Sequence, residues 1–487
     1  MLFILLILLS LLILCFYFIR QKIIFYRKNN LLAQDVSGLD LIKIKDVFEI
    51  HTIGNIIDAI TLAKNNNLKI SMFGKKHSMG GQTIATGGIQ LDMNKFNKIL
   101  KFDQKNKLIT VQPGISWGEL IYYLNQYSIS PMTLQSYCSF SVGGSISVNA
   151  HGITNDYGIY ESIHEFKIIL SNLQIETCSR DINSELFSLV IGGYGLFGVI
   201  CEVTLKVVPN ENIKLEKVNL TKENFVSVYN SYMDDNEINI KFARIDITNM
   251  NDIFLYCYRS TNEAIKSKLN KDPNQMSYLK QIMYKWIYQN ESIKKIRYQI
   301  EKTSDKPIDQ NNNSSRNEIL YESADPLAKL YSPFIELDKT HILQEYFIPN
   351  DKFDIFVDKL ATVYKNIILK YKDHINLLNV TVRYIKKDNT TFLKYGTSNM
   401  YAFVFYYRID KTKGAESKLR IVHHMLTYST LELGGTFYLP YRGHYTKNQL
   451  LLAYPMIQEF IKLKYKYDPK SIFTNQMFDY WTKILKL

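Results

Sequence analysis

The stretch "IGGYGLFGVICEVTLKVV", Ile191–Val208, decides how this chain folds. Gly193, Gly195 and Gly198 make a G-x-G-x-x-G pattern. In a dinucleotide-binding βαβ unit that pattern opens a helix, because the helix N-terminus holds the pyrophosphate. Here it opens "VICEVTLKVV", a β-branched run that reads as a strand. The fingerprint fails in its own context. The glycines instead let a backbone turn pass close to something flat or anionic.

Working outward, a second glycine cluster lies upstream in "SFSVGGSISVNAHGITNDYG", Ser139–Gly158. Gly143 and Gly144 among small hydroxyl residues suggest tight turns between short strands, with backbone N–H groups exposed to an anion. An ordinary bend in an all-β segment is the plainer alternative. Further upstream, "KISMFGKKHSMGGQT", Lys69–Thr83, ends an apolar strand at a glycine and follows it with two lysines and His77. Around these pieces the pattern is α/β. Asn55–Asn67 has helical spacing, Ile89–Met93 and Lys107–Gln112 read as strands, and Ser116–Tyr127 reads as a helix capped by Ser116.

The chain has 487 residues, which predicts two or three domains. Fifty-nine Lys+Arg against 46 Asp+Glu give a net charge of +13, which favours an anionic partner such as phosphate or a lipid surface. The excess is spread out with no dense basic block, so no nucleic-acid partner is expected. The five cysteines form no C-x-x-C, and no His/Cys/Asp/Glu cluster has ligand spacing. No disulfide framework and no metal are expected, and a reducing compartment fits.

"MLFILLILLSLLILCFYFI", residues 1–19, carries no charge. As a helix it would reach roughly 28 Å, enough for a hydrocarbon core of about 30 Å. Basic residues follow the run rather than precede it, and no small-x-small cleavage site comes after it, so it reads as a single-pass anchor rather than a signal peptide. The positive flank predicts a catalytic body on the cytoplasmic side. Residues 20–44 read as a basic polar tether. Glu301–Glu318, the most polar stretch, reads as a mobile loop.

Four pieces occur in a fixed order: "FGKKHSMGGQ", "VQPGISWGELIYYL", "SVGGSISVNAHG" followed by Tyr157-Gly158, and "GGYGLFGVICEVTLKV". The ordered set resembles the PCMH-type FAD-binding domain of the vanillyl-alcohol oxidase family. "LNVTVRYIKKD", "GGTFYLPYRGHYT" and the C-terminal helices are similar to the branch with aldonolactone and alditol oxidases and decaprenylphosphoryl-ribose oxidase. The resemblance implies an α+β fold: a two-subdomain FAD-binding domain over 45–209, a sheet-and-helix substrate cap over 210–435, and a segment, 436–487, returning to the FAD domain. It implies FAD as cofactor, covalently bonded through His77. A neutral imidazole nitrogen is a competent nucleophile for such a bond. Gly74, Lys75, Lys76 and Ser78, with Ser141, Gly143, Gly144 and Ser147, would surround the pyrophosphate. The two lysines would add charge there or point to solvent, the latter being favoured. Pro113 and Gly114 would turn the chain beside the ring system, Gly198 would approach closely, and the stretch Asn149, Ala150, His151 and Gly152 would lie near the flavin. Ala150 would narrow oxygen's approach to the ring, leaving oxygen or another electron acceptor.

The implied reaction is oxidation of a CH–OH group on a sugar-derived or polyol substrate by hydride transfer to flavin N5. Alternatives are oxidation of a lipid-linked sugar, reduction of a lipid double bond, or a non-catalytic flavin-binding membrane protein. Candidates around the substrate are Glu345 and Tyr346 in a strand-like segment, Arg383 on one strand face with Asn379 and Thr381, and Tyr438, Tyr441 and His444. A tyrosine or histidine would take the hydroxyl proton and an arginine would stabilise developing charge. His423 and His424, in a helical run, read as structural.

Overall fold

The computed structural model describes residues 31–486 apart from residues 155, 234, 236, 264–268, 270–293, 304–312 and 323–337. The anchor expected at 1–19, and the first part of the tether, lie outside the described residues. Among the described residues no helix is long and apolar enough to cross a membrane.

Three layers follow one another along the chain. The first is a short parallel sheet of Asp46–Glu49, Ile89–Asp92 and Ile70–Phe73, with Ile89 in register with both Asp46 and Ile70. The helix Ile53–Asn65 starts at a Thr52/Asn55 capping box and buries Ile56, Ala59, Ile60 and Ala63, the i, i+3, i+4, i+7 stripe of an amphipathic helix. The second layer is antiparallel, in the order Ile175–Ser179, Ile163–Ile169, Val199–Pro209, Leu108–Val111 and Ile99–Asp103. Ile129–Pro131 pairs with the far end of Val199–Pro209. The run after the G-x-G-x-x-G is thus the strand that joins this sheet together. Ser116 caps the helix Trp117–Asn125, and Glu119 completes the capping box.

The third layer is an eight-stranded antiparallel sheet. Its order is Asn313–Ser315, Asn212–Thr221, Asp252–Ser260, Ile238–Ile245, Ile375–Ile385, Met400–Asp410, Lys339–Pro349 and Thr436–Phe437. The helix Lys413–Glu432 packs on one face, where the buried Tyr346 hydroxyl donates to the carbonyl of His423. Strand alternation turns Glu345, beside Tyr346, to the other face. The C-terminus comes back to the first layer: Ile70 N–H donates to Ile472 O at 2.7 Å, and Thr474 N–H to Ile70 O at 3.0 Å.

Several expectations need correction. The described end of the tether is folded: Leu32–Ala33 pairs with Ile42–Lys43, and Asp35 and Ser37 are buried between them. The Gly143-Gly144 cluster is not a turn between strands. It lies in the short helix Val142–Ser147, because Ser141 supplies an N-cap that accepts from Gly144 N–H. The polar stretch Glu301–Glu318 is not all loop. Its described ends form the helix Lys294–Thr303, the strand Asn313–Ser315 and the helix Arg316–Glu322. Arg316 is buried there, donating to Ser130 Oγ and to the carbonyls of Pro131, Met132 and Asn239. A run of polar residues can be buried when its donors meet backbone acceptors. Finally, Thr436–Phe437 pairs with Tyr346 and Phe347, so the returning segment begins after this strand and not at residue 436.

Candidate active site

A cavity lies between the first two layers and the open face of the eight-stranded sheet. Its floor is made of loops that hold one another in place. A Cβ on Gly74 would sit 2.2 Å from Ser141 Oγ, so only glycine lets the 74–78 loop meet the cap of the helix Val142–Ser147. A Cβ on Gly143 would sit 2.6 Å from the side chain of Pro113, and Gly143 N–H donates to Pro113 O. Tyr194 N–H donates to Ser147 O and Gly192 N–H to Ile146 O, which ties the G-x-G-x-x-G turn to the same helix. Gly74, Lys75, Lys76, His77, Ser78, Pro113, Ser141, Gly143, Gly144, Ser147, Ala150 and Gly198 all line the cavity.

His77 projects among Phe140, 4.2 Å away between ring centroids, and Tyr137, with Nε2 3.4 Å from Ser139 Oγ. Burial, with the Lys75 charge adding to it, pushes its pKa down to about 4. The imidazole is therefore neutral near pH 7, with a nitrogen lone pair available. The lysines differ. Lys75 is exposed, whereas Lys76 sits with Nζ 3.8 Å from the centroid of the Phe73 ring, and burial lowers its pKa. The solvent orientation favoured for both holds for Lys75 only, because the ring offers Lys76 a cation–π contact.

The roof is the sheet. Arg244 pairs with Thr381, Thr381 with Val404, and Val404 with Glu345. These four residues from four strands make one row across the sheet, and all line the cavity. Arg383 lies two residues along from Thr381 on the same face. Its Nη2 donates to Ser136 Oγ at 2.7 Å, and its Nε is buried with no hydrogen-bond partner among the described residues. Tyr438 and Tyr441 close one side. The Tyr438 hydroxyl donates to Val148 O at 2.8 Å. Burial raises both tyrosine pKa values well above 10, and the Glu345 charge raises them further. Both hydroxyls stay protonated, so they are hydrogen-bond donors and not the proton acceptors expected of a tyrosine here.

Five expected residues do not line the cavity; one of them, Tyr346, lies on the opposite face of the sheet, toward the helix Lys413–Glu432. His444 is buried behind it, with Nδ1 3.0 Å from His423 Nδ1 and Nε2 3.3 Å from Glu416. Burial pushes its pKa down to about 4, while the His444 hydrogen bond and the nearby Arg442 pull Glu416 down to about 2. Gly114 and Gly152 are packed against backbone, with hypothetical Cβ atoms 1.8 Å from Met93 O and 2.0 Å from Leu134 O. Asn149 turns away to Asp388 and Thr391. The sequence reading put His151 only within a stretch near the flavin, with no catalytic role, and did not single out Arg244. His151 Nε2 is 2.5 Å from Glu345 Oε1, and both side chains are 2% exposed. His151 follows Ala150 directly, and alternation in "INIKFARI" puts Phe242 and Arg244 on one face. Neither signal says what stands opposite.

Residues 45–179 match the family model described as an FAD binding domain. This part of the chain is an FAD-binding domain. The match ends before the strand Val199–Pro209, which nonetheless joins the second layer and whose glycine turn lines the cavity. Among curated proteins, an uncharacterized oxidoreductase of Rhodococcoides fascians is 30% identical over 158 residues, 32% of this chain and 36% of the relative. L-gulonolactone oxidase of Mus musculus is 25% identical over 229 residues, 46% of this chain and 49% of the relative. Cytokinin dehydrogenase 1 of Arabidopsis thaliana is 28% identical over 169 residues, 34% and 29% of the two chains. The chain thus spans less than half the length of each of these relatives.

The residues present fit FAD. The glycine loops of the FAD-binding domain leave backbone close to the cavity, and His77 presents a neutral nitrogen nucleophile.

Proposed function

We propose that the protein is a membrane-anchored, FAD-linked oxidoreductase that oxidises a CH–OH group of a sugar-derived, lactone or polyol substrate. The observation that carries this reading is the shared cavity. The loops of the FAD-binding domain face a sheet surface bearing Glu345, Arg383 and Tyr441, the donors and acceptors that hydroxyl oxidation needs. Bound FAD supplies a two-electron acceptor for hydride. Arg383, whose buried Nε has no hydrogen-bond partner among the described residues, orients the substrate oxygen and stabilises negative charge that develops on it. Tyr441 donates a second hydrogen bond.

His77 carries the flavin in this reading, so the protein stays yellow after acid precipitation and His77→Ala releases the colour. The likeness to lactone oxidases over part of the chain supports the substrate class. The test is anaerobic flavin bleaching by the purified full chain with L-gulono-1,4-lactone, D-arabinono-1,4-lactone, xylitol and sorbitol. Bleaching by none of them removes the hydroxyl-oxidation reading for soluble substrates. The apolar residues 1–19 favour a second substrate, a lipid-linked sugar alcohol, which belongs in the same assay as a polyprenyl-phosphate sugar. Resistance to alkaline carbonate extraction tests the anchor.

A further inference from the structure

We propose that Glu345 accepts the proton of the substrate hydroxyl, and that His151, reaching across from the FAD-binding domain, positions it. The inference rests on the hydroxyl-oxidation reading above. Among the described residues lining the cavity, Glu345 is the one carboxylate. It ends the row Arg244–Thr381–Val404–Glu345, so the register of four strands fixes its place on the roof.

His151 comes from the opposite wall. Its Nε2 lies 2.5 Å from Glu345 Oε1, with both groups 2% exposed. The imidazole is packed among Phe347, Tyr395 and Tyr438, at 5.5, 5.7 and 5.8 Å between centroids. Its Nδ1 is buried with no hydrogen-bond partner among the described residues. The ring therefore has one polar task, and that task is Glu345. Taking a carboxylate and an imidazole out of water is costly unless geometry repays it, and such pairs concentrate where chemistry needs them.

The other candidates are excluded by what surrounds them. The Tyr438 and Tyr441 hydroxyls are held protonated. His444 is behind the cavity wall, engaged by His423 and Glu416. Arg383 is a cation and cannot take a proton. The carboxylate held by His151 through one oxygen has a second oxygen for the substrate.

The step balances. The substrate O–H bond breaks and its proton goes to Glu345, giving the neutral acid. The C–H bond of the same carbon breaks and its electron pair leaves as hydride to the bound flavin. A C=O bond forms, the substrate losing two electrons and the flavin gaining them.

The experiment uses the flavin-loaded full chain and whichever member of the hydroxyl panel bleaches it fastest. Glu345→Gln keeps the shape and removes the base. It is expected to keep its flavin absorbance and slow anaerobic bleaching by about 10²–10⁴-fold. The rise of the bleaching rate with pH on the acid side should vanish. Glu345→Asp, which keeps the charge on a shorter arm, should recover part of the rate, and serves if Glu345→Gln loses flavin. His151→Gln should lower the bleaching rate less than Glu345→Gln and displace the acid limb of the pH profile, with substrate saturation little changed. Independently of turnover, ¹⁵N-histidine-labelled enzyme should show a downfield Nε2–H proton resonance that is absent in His151→Gln and shifted in Glu345→Gln. Bleaching of Glu345→Gln within about threefold of the wild type, with the acid limb intact, overturns the assignment while leaving hydroxyl oxidation in place. If no panel member bleaches the wild type, the functional reading fails and this inference falls with it.

Discussion

The two walls of the cavity are built on opposite principles. The FAD-binding side offers backbone. Its lining comes from two compact loops, Gly74–Ser78 and Gly193–Gly198, and the short helix capped by Ser141, where small residues let main chain pack against main chain. The cap side offers side chains. Its lining comes from alternate positions on strands spread over 160 positions of the chain, Arg244 on one, Thr381 and Arg383 on the next, then Val404, then Glu345. A cofactor of fixed shape and charge can be held by main-chain N–H groups, whose spacing a short motif encodes. A reacting hydroxyl needs particular acids, bases and cations, and only a sheet or helix face assembles these from distant sequence.

This contrast predicts where substitutions hurt and how. The largest effect is expected on the cap wall. Arg383→Met should slow flavin bleaching by about 10²–10³-fold, with flavin content and melting temperature near wild type. Loss of flavin in that variant would mean that the roof also holds the cofactor, and the division between the walls would break.

Next comes a pair of glycines, one from each half. Gly114→Ala would bring a Cβ to 1.8 Å from Met93 O and 2.6 Å from Phe96 O. Backbone cannot move aside as a side chain can, so about 3 kcal/mol of stability should be lost in urea titration. Gly434 follows the helix Lys413–Glu432 with φ +75 and nothing within 4 Å of a Cβ. Gly434→Ala should cost only the left-handed backbone penalty, about 1–2 kcal/mol. Equal losses would show that close packing does not distinguish the halves.

Acid should loosen the cap side and its return segment. His444 has a pKa of about 4 in the fold against 6.5 for a free histidine, and His423 is shifted in the same direction by burial. Between pH 6.5 and 4 the unfolded chain therefore binds protons that the folded chain does not, so stability falls as pH falls. For His444 the loss builds up across that window to roughly 3 kcal/mol below about pH 4, and it is absent above pH 6.5. A melting-temperature profile should show it, and His444→Asn should flatten the profile. An unchanged slope in that variant would place the acid sensitivity elsewhere.

The smallest effect concerns Ala150, buried on the cavity floor beside His151. Removing its methyl group in Ala150→Gly should raise the rate at which oxygen reoxidises reduced enzyme by several-fold, measured by stopped flow, if the methyl narrows oxygen's path. Equal rates would remove that gate.

Most of the cavity floor was legible in the sequence and little of its roof, for reasons visible in particular residues. His77 and the glycine loops stand in contiguous motifs, and each loop's backbone geometry is set by its own glycines, prolines and caps. Ser116 and Thr52 fixed helix starts in the same local way. Alternation alone put Asn379, Thr381 and Arg383 on one face, because side chains on a strand have a period of two. By itself the sequence thus determined the glycine loops that line the cavity, the strand after the G-x-G-x-x-G and the faces of individual strands. It also supplied an apolar N-terminal stretch whose structure lies outside the described residues. Only the tertiary structure decided which strand faces meet. It put Glu345 in a row with Arg244, brought His151 against Glu345 from another layer, and hid His444 behind the wall. It also folded the polar residues after Leu31 and around Arg316 into buried positions. Register between distant strands and burial between layers depend on the whole packed chain, so no local pattern could state them in advance.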